Sequence, residues 1–183
     1  MLVLILAGCL SSAGASGGDD GAELDLSRLE RLVHGAVNEV RIEHGLPAIA
    51  WNDTLSFIAA AHSADMAAND FFGHEGSDGS LPSDRAFRVD YHCLKEDGDY
   101  RYTGVAENIY MTYRYGSRQT VIRGGRSEVF YDWKTMEQIA EDVVSGWMGS
   151  PPHRANILEA RHDREGIGIA KADDRLFITQ NLC

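Results

Sequence analysis

Apolar residues recur every three or four positions in three stretches of the chain, which predicts three amphipathic helices. The first opens on a capping-box pattern at 27–30 and ends near Gly45. The second follows the polar run 52–54, whose residues suit an N-cap, and the third covers about 135–148. Each helix has one apolar side, so all three are expected to pack on a common core.

Strand patterns lie later in the chain. Residues 105–113 are rich in β-forming residues, and apolar residues alternate over 167–170 and 176–182 on either side of a turn. Residues 73–99 are rich in Gly, Ser and Asp and predict a loop with room for one short helix. Helices first and antiparallel strands last indicate an α+β or layered α/β/α domain.

Composition narrows the class of protein. The chain has 183 residues, 44% of them hydrophobic, which is enough for the core of a single domain. Its 28 acidic and 17 basic residues give a net charge of −11. This charge repels a phosphate backbone, so a nucleic-acid partner is disfavoured.

The N-terminal segment predicts export. Residues 1–9 are apolar, too few to span a bilayer, and end in Leu-Ala-Gly-Cys, which resembles a lipobox. We therefore expect Cys9 to carry a lipid, residues 10–26 to form a flexible tether, and residues 27–183 to form the domain. The protein would be extracytoplasmic, secreted or held at the surface only by its lipid. The alternative is that the apolar N-terminal stretch is not a lipoprotein signal and that Cys9 carries no lipid.

The two remaining cysteines form an even pair. If Cys9 is lipidated, Cys93 and Cys183 are left, and in an exported protein this predicts one disulfide. The alternative is two buried free thiols, which behave as small hydrophobic residues.

Three polar residues occupy positions that favour chemistry. His74 follows an apolar helix across a glycine, and His153 follows two prolines that predict a stiff loop. Glu107 lies inside an apolar run, where an unpaired carboxylate is costly. Two imidazoles and one carboxylate suit a zinc ion with one open position, although their spacing alone does not bring them together. The other histidines are expected to be partly buried or capping, as for His34 and His62, or solvated, as for His44, His92 and His162.

Several segments match, in order, the motifs of one family. They are Asn-Glu-Val-Arg at 38–41, Phe-Gly-His at 72–74, Ala-Glu-Asn-Ile at 106–109, Trp-Met-Gly-Ser-Pro-Pro-His-Arg-Ala-Asn-Ile at 147–157, and the closing strands from 166 and 179. Over residues 27–183 the chain thus resembles the CAP superfamily, the cysteine-rich secretory, antigen 5 and pathogenesis-related 1 group, in its compact prokaryotic form.

The resemblance implies an α/β/α sandwich with a mainly antiparallel central sheet. It also implies a cleft in which two histidines and two glutamates meet and which takes a divalent metal in relatives. Matched to this chain, the cleft and metal ligands would be His74, Glu107 and His153, for Zn²⁺ or another divalent ion. The second glutamate of longer relatives is replaced by Ser150, and no motif supports Glu128 or Glu141 as its substitute.

Three functions follow from the resemblance. The favoured one is a binding module for a lipid, a cell-envelope component or a protein partner. The second is a metal-dependent hydrolase that uses the same cleft, and the third is a structural envelope protein with a vestigial cleft. Fold membership does not establish a reaction, so enzymatic activity is left open.

The segment 110–131 is longer than the corresponding segment expected in the compact members of the family. This segment contains four arginines interspersed with five aromatic residues, and its one acidic residue is a glutamate. This composition allows contact with an anionic polymer or lipid head group. The alternative is a surface hairpin whose arginines pair with the carboxylates of this acidic protein.

Overall fold

A computed structural model describes residues 24–183, which form five helices and eight strands. In chain order they are α1 (Leu26–Glu43), β1 (Ala50–Trp51), α2 (Asp53–Asn69), α3 (Pro82–Arg88), β2 (Leu94–Asp97), β3 (Tyr100–Thr103), β4 (Ala106–Tyr113), β5 (Tyr115–Arg123), β6 (Arg126–Trp133), α4 (Met136–Gly149), α5 (Pro151–Ile157), β7 (Arg164–Ala172) and β8 (Arg175–Leu182).

The central sheet has four strands in the order β1-β7-β8-β4. All neighbours are antiparallel except β1 and β7. Helix α2 packs on β7 and β8, whereas α1 and α4 pack on each other and on the sheet's other face. This three-layer α/β/α sandwich confirms the predicted fold. The hairpins β2–β3 and β5–β6 form separate two-stranded sheets.

Two glycines let α2 lie directly on β7. A Cβ atom on Gly166 would come within 2.0 Å of the Ser56 nitrogen, and one on Gly168 within 1.9 Å of the Ala60 nitrogen. The hydroxyl of Ser56 also donates to the Ile167 carbonyl at 2.8 Å. Larger residues in β7 would push the helix away, so these glycines fix the position of α2 over the sheet.

The helix starts agree with the sequence with one correction. Asn52, from the polar run predicted to cap the second helix, is the N-cap of α2, and Thr135, the predicted start of the third helix, is the N-cap of α4. Helix α1, however, begins at Leu26 with Asp25 as its N-cap, because the Asp25 side chain accepts from the Arg28 amide. Leu24 is buried in the core, so the domain includes residues that were assigned to the tether.

A disulfide joins Cys93 and Cys183, as predicted, with their Cα atoms 5.6 Å apart. It ties the end of β8 to the segment that follows α3. The lipobox, Cys9 and the tether up to residue 23 lie outside the described residues. Among residues 24–183, no helix has both the length and the apolar composition needed to cross a bilayer.

Candidate functional site

Glu107 lies at the centre of a polar cluster at the beginning of β4. Its side chain is 1% exposed. One oxygen, Oε1, is 2.9 Å from Nδ1 of His74, and the other, Oε2, accepts from the Arg85 guanidinium at 2.6 Å. With its nitrogen turned toward the carboxylate, the amide of Asn181 also donates to Oε2 at 3.1 Å. The buried carboxylate is therefore compensated by a cation and by hydrogen bonds.

His74 is held against Glu107 by its own loop. Arg85, on α3, donates to the carbonyls of His74 at 3.1 Å and of Ser80 at 2.7 Å. A carboxylate can only accept, so Nδ1 of His74 donates in this bond, and Nε2 is the ring nitrogen through which a ligand could bind. The His74 side chain is 48% exposed. This leaves one imidazole nitrogen available to a ligand in the cleft.

His153 lies on helix α5, which corrects the predicted stiff loop. Pro151 and Pro152 occupy the first helical positions, where a missing N–H costs nothing. The helix is fastened to β4, because Asn108 donates to the His153 carbonyl at 3.1 Å and Asn156 donates to the Glu107 carbonyl at 3.2 Å. Burial, and then the nearby His74, lower the pKa of His153.

The structure places the three predicted residues close together. His74 contacts Glu107 directly, and the ring centroids of His74 and His153 are 6.5 Å apart. Sequence reasoning missed Arg85 and had set His62 aside. His62 is fully buried on α2, donates from Nε2 to the Gly73 carbonyl at 2.9 Å, and has Nε2 3.7 Å from Oε1 of Glu107. Burial lowers the pKa of His62 despite the nearby carboxylate.

The fit of these residues to a metal ion is incomplete in this conformation. The part of the chain that the structure describes has no group of three His, Cys, Asp or Glu side chains arranged to hold an ion. Both oxygens of Glu107 are engaged by protein groups. Two imidazoles on one tetrahedral ion would have ring centroids about 5 Å apart, closer than His74 and His153 lie here.

Among residues 24–183, no second glutamate joins these side chains in a group that could hold an ion. Ser150 stands at the junction of α4 and α5. Glu128 lies in the β5–β6 hairpin opposite Val121, and Glu141 lines a cavity between α1 and α4. The three-ligand metal site therefore stays a prediction, with two imidazoles as its available donors.

A cavity of about 310 Å³ lies beside the cleft. It is bounded by α2, α3 and the loop between them, and His62 and Arg85 form part of its wall. Most of its wall is apolar, with Phe57 and Val89 at its edge. Its volume is at the lower end of the range for small-molecule pockets.

A second carboxylate and imidazole pair lies inside the sandwich. Glu165 is fully buried on β7, 2.6 Å from Nδ1 of His34, and accepts from the Gln180 amide at 2.5 Å. Asn108 donates to the oxygen of the same Gln180 at 2.7 Å and also binds the His153 carbonyl. This interior network, formed by His34, Glu165, Gln180 and Asn108, reaches from α1 to the cleft helix α5. No sequence signal pointed to it.

Comparison with known proteins gives one family. The model of the cysteine-rich secretory protein family (CAP) matches residues 34–182. Two curated relatives from Bacillus subtilis are uncharacterized: the membrane protein YlbC, 25% identical over 84% of this chain, and YkwD, 24% identical over 82%. This chain covers only 34% and 46% of their respective lengths.

Solved structures share the fold. An extracellular protein with an SCP domain from Bacillus anthracis has a TM-score of 0.57 and 23% identity, over 85% of this chain and 40% of its own. An outer surface protein from Borrelia burgdorferi has a TM-score of 0.61 and 16% identity, over 87% of this chain and 94% of its own. At these identities the similarity establishes the architecture and leaves the chemistry to this chain's own residues.

Proposed function

Because the chain belongs to the cysteine-rich secretory protein (CAP) family, we propose that it is an extracytoplasmic binding module whose ligand enters the cleft of His74, Glu107 and His153. The Cys93–Cys183 disulfide supports an oxidising location. The extracellular and outer-surface descriptions of the similar structures support the same location. Its partner would be a lipid, a cell-envelope component or a protein.

The state of Glu107 is the observation that favours binding over hydrolysis. If His74 and His153 hold the metal, a hydrolase also needs a further base, outside the set of metal ligands, to take a proton from the bound water. Both oxygens of Glu107 are engaged, by His74 and Arg85. Among the described residues, neither His74 nor His153 is hydrogen-bonded to a hydroxyl or thiol side chain. The cleft therefore offers donors for a ligand but no assembled acid–base pair.

A divalent cation would be held by His74 and His153, with Glu107 behind them. A carboxylate that accepts from the Nδ1–H of a ligating histidine fixes the ring and strengthens its other nitrogen as a ligand. The bond from His74 to Glu107 has this form. A bound ion would supply a positive centre for an anionic or carbonyl group of the ligand. It requires His74 and His153 to rotate slightly toward each other.

Calorimetric titration with Zn²⁺ at neutral pH tests the cleft. The wild type is expected to bind, and the double variant His74→Ala/His153→Ala is expected to lose binding at least tenfold. The matched control is His44→Ala/His92→Ala, which removes two exposed imidazoles outside the cleft. If the wild type shows no heat of Zn²⁺ binding, or if the control variant loses as much affinity as the double variant, metal binding by His74 and His153 is contradicted. Chelator-sensitive turnover of a peptide or ester would instead support the hydrolase.

The lipid anchor on Cys9 belongs to the same proposal. It would keep the module near the outer face of a membrane at the end of a short tether. The intact mass of the mature protein measures it directly, because acylation and removal of the leader both change the mass. A mature protein that starts before Cys9 and carries no lipid contradicts the anchor.

A further inference from the structure

The β5–β6 hairpin projects from the sandwich at the end of β4 opposite Glu107. Its strands pair with each other from Tyr115 and Trp133 at the base to Arg123 and Arg126 at the tip. Between these arginines, Gly124–Gly125 form a tight turn in which both residues have positive φ, 56° and 77°. Neither strand is hydrogen-bonded to the central sheet. Nearly all residues of the hairpin's outer half are exposed, so both faces of that half are open.

The charges of the arginines in this outer half are not neutralised by carboxylates of the described residues, although the Arg118 guanidinium lies 5.9 Å from the ring centroid of Tyr131. Within residues 24–183, Arg118, Arg123 and Arg126 take part in no ion pair. Exposed arginines elsewhere do find carboxylates, as Arg28 does with Glu137 and Arg101 with Glu96. For these three arginines, pairing with carboxylates of the described residues is thus not realised. Three cations remain in a chain of net charge −11.

Apolar side chains are exposed beside these cations. Ile122, next to the turn, is 75% exposed, and Phe130 and Val129 are 54% and 40% exposed. Thr120 pairs with Val129, and Ile122 with Ser127, so Val129 and Ile122 share one face, while Phe130 lies on the other. Hydrophobic residues on both faces of one exposed tip have no partner within the described fold, and water solvates them poorly.

The base of the hairpin is stiffened by stacked aromatic rings. The rings of Tyr131 and Trp133 stack at 4.7 Å, and Tyr115 lies 5.0 Å from Tyr131 and 5.2 Å from Tyr113. An isolated two-stranded hairpin is only marginally stable in water, and the cross-strand contacts of Tyr115 with Tyr131 and Trp133 stabilise it. The tip is thereby presented in a fixed shape on a firm base.

We infer that the tip of the β5–β6 hairpin docks on an anionic phospholipid bilayer, with Arg123 and Arg126 at the head groups and Ile122 in the interface. A bilayer surface takes both kinds of side chain, because long basic residues reach phosphates while apolar neighbours enter the acyl boundary. A soluble polyanion would use the arginines and leave Ile122 and Phe130 in water. The acidic remainder of the chain is repelled by such a surface, which favours approach through the tip.

This inference rests on the proposed extracytoplasmic location but not on the chemistry of the cleft. Glu107 is the second residue of β4 and the hairpin follows its last, so about 20 Å of strand separates them. Docking by the tip would leave His74 and His153 free for a ligand. The two proposals can therefore fail separately.

Flotation with lipid vesicles tests the docking. The full chain carrying Cys9→Ser, which has no acylation site at that position, is mixed at low salt with vesicles of phosphatidylcholine alone or with phosphatidylglycerol. We expect binding only to the anionic vesicles. Arg123→Gln/Arg126→Gln should weaken it about tenfold or more, since each basic residue at the surface contributes strongly. Ile122→Ser should weaken it less.

The matched control is Arg28→Gln/Arg101→Gln, which removes the same charge from exposed sites outside the hairpin. It should bind as the parent does, and so should His74→Ala/His153→Ala. Equal binding to neutral vesicles, or an equal loss in the arginine control, overturns the inference. So does a dimer that the tip variants abolish without any vesicle binding, which would identify a second copy as the occupant.

Discussion

Two buried carboxylates stand on strands of the same sheet, and each is bonded to a histidine. Glu165 on β7 lies 2.6 Å from His34, and Glu107 on β4 lies 2.9 Å from His74. The His34 side chain is 18% exposed, whereas that of His74 is 48% exposed. The residue types are the same in both pairs. What makes one a candidate site is an imidazole nitrogen that faces open space.

The interior pair also supports the cleft. Asn108 links the interior network to helix α5. Its amide nitrogen donates both to Gln180 of the interior network and to the His153 carbonyl, and its oxygen accepts from Asn156 at 2.8 Å. Helix α5 is therefore positioned by a buried hydrogen-bond network that no ligand would touch. Such networks, when every member is satisfied, favour one arrangement of the core.

The largest expected effect comes from the disulfide. Cys93→Ser/Cys183→Ser opens a link across 90 residues of chain and should lower the free energy of unfolding by about 2–5 kcal/mol. The disulfide fixes the segment that follows α3 to the end of β8. Helix α3 itself carries Arg85. Hydrogen exchange should therefore accelerate more at residues 73–93 than in β7. Equal acceleration in both would contradict a local role for the disulfide at the cleft.

The next largest effect is a difference in the free energy of unfolding between variants of the two buried carboxylates, Glu165 and Glu107. Glu165 accepts from two donors, on the partly buried His34 and the buried Gln180, and an amide at this position can accept from one and opposes the other. Glu165→Gln should therefore lower the free energy of unfolding by about 2–3 kcal/mol. Glu107→Gln should cost less, about 1–2 kcal/mol, because the amide oxygen can still accept from Arg85 and the half-exposed His74 can turn to water.

Urea unfolding of both variants and the wild type measures this difference. Glu165→Gln should leave the m-value unchanged, so that its lower midpoint reports stability alone. If Glu107→Gln proves the more destabilising, the cleft carboxylate is the structural one and the comparison is reversed.

The fold was largely predictable, since its signals are local. The apolar periods of α1, α2 and α4 and the alternation in β7 and β8 each lie within one segment. Helix α5 was missed because two prolines were interpreted as a loop, although proline is favoured at the first helical position. The β5–β6 turn carried a usable signal as well, because Gly124–Gly125 between β-forming residues is typical of a hairpin.

The site was predictable only through the family resemblance. His74, Glu107 and His153 lie on three separate segments, and no periodicity brings them together. Arg85 reaches Glu107 across 22 residues from a short helix with no motif. His62 was missed because a histidine on an apolar helix face looks the same in sequence whether it supports a site or fills a core. Such long-range contacts depend on how helices dock on the sheet.

The smallest effect concerns the buried imidazole of the cleft. Nδ1 of His62 has no hydrogen-bond partner among residues 24–183, so a proton there would be buried without compensation, in line with its lowered pKa. The unfolded chain, with the ordinary value of 6.5, then binds more protons, and stability should fall as pH drops from 7 to 5. His62→Gln, which can still donate to Gly73, should flatten this dependence by up to about 1 kcal/mol in urea unfolding, whereas the exposed control His44→Gln should not. If the free energy of unfolding falls equally with pH in the wild type and in His62→Gln, protonation of His62 is not the cause of the pH dependence.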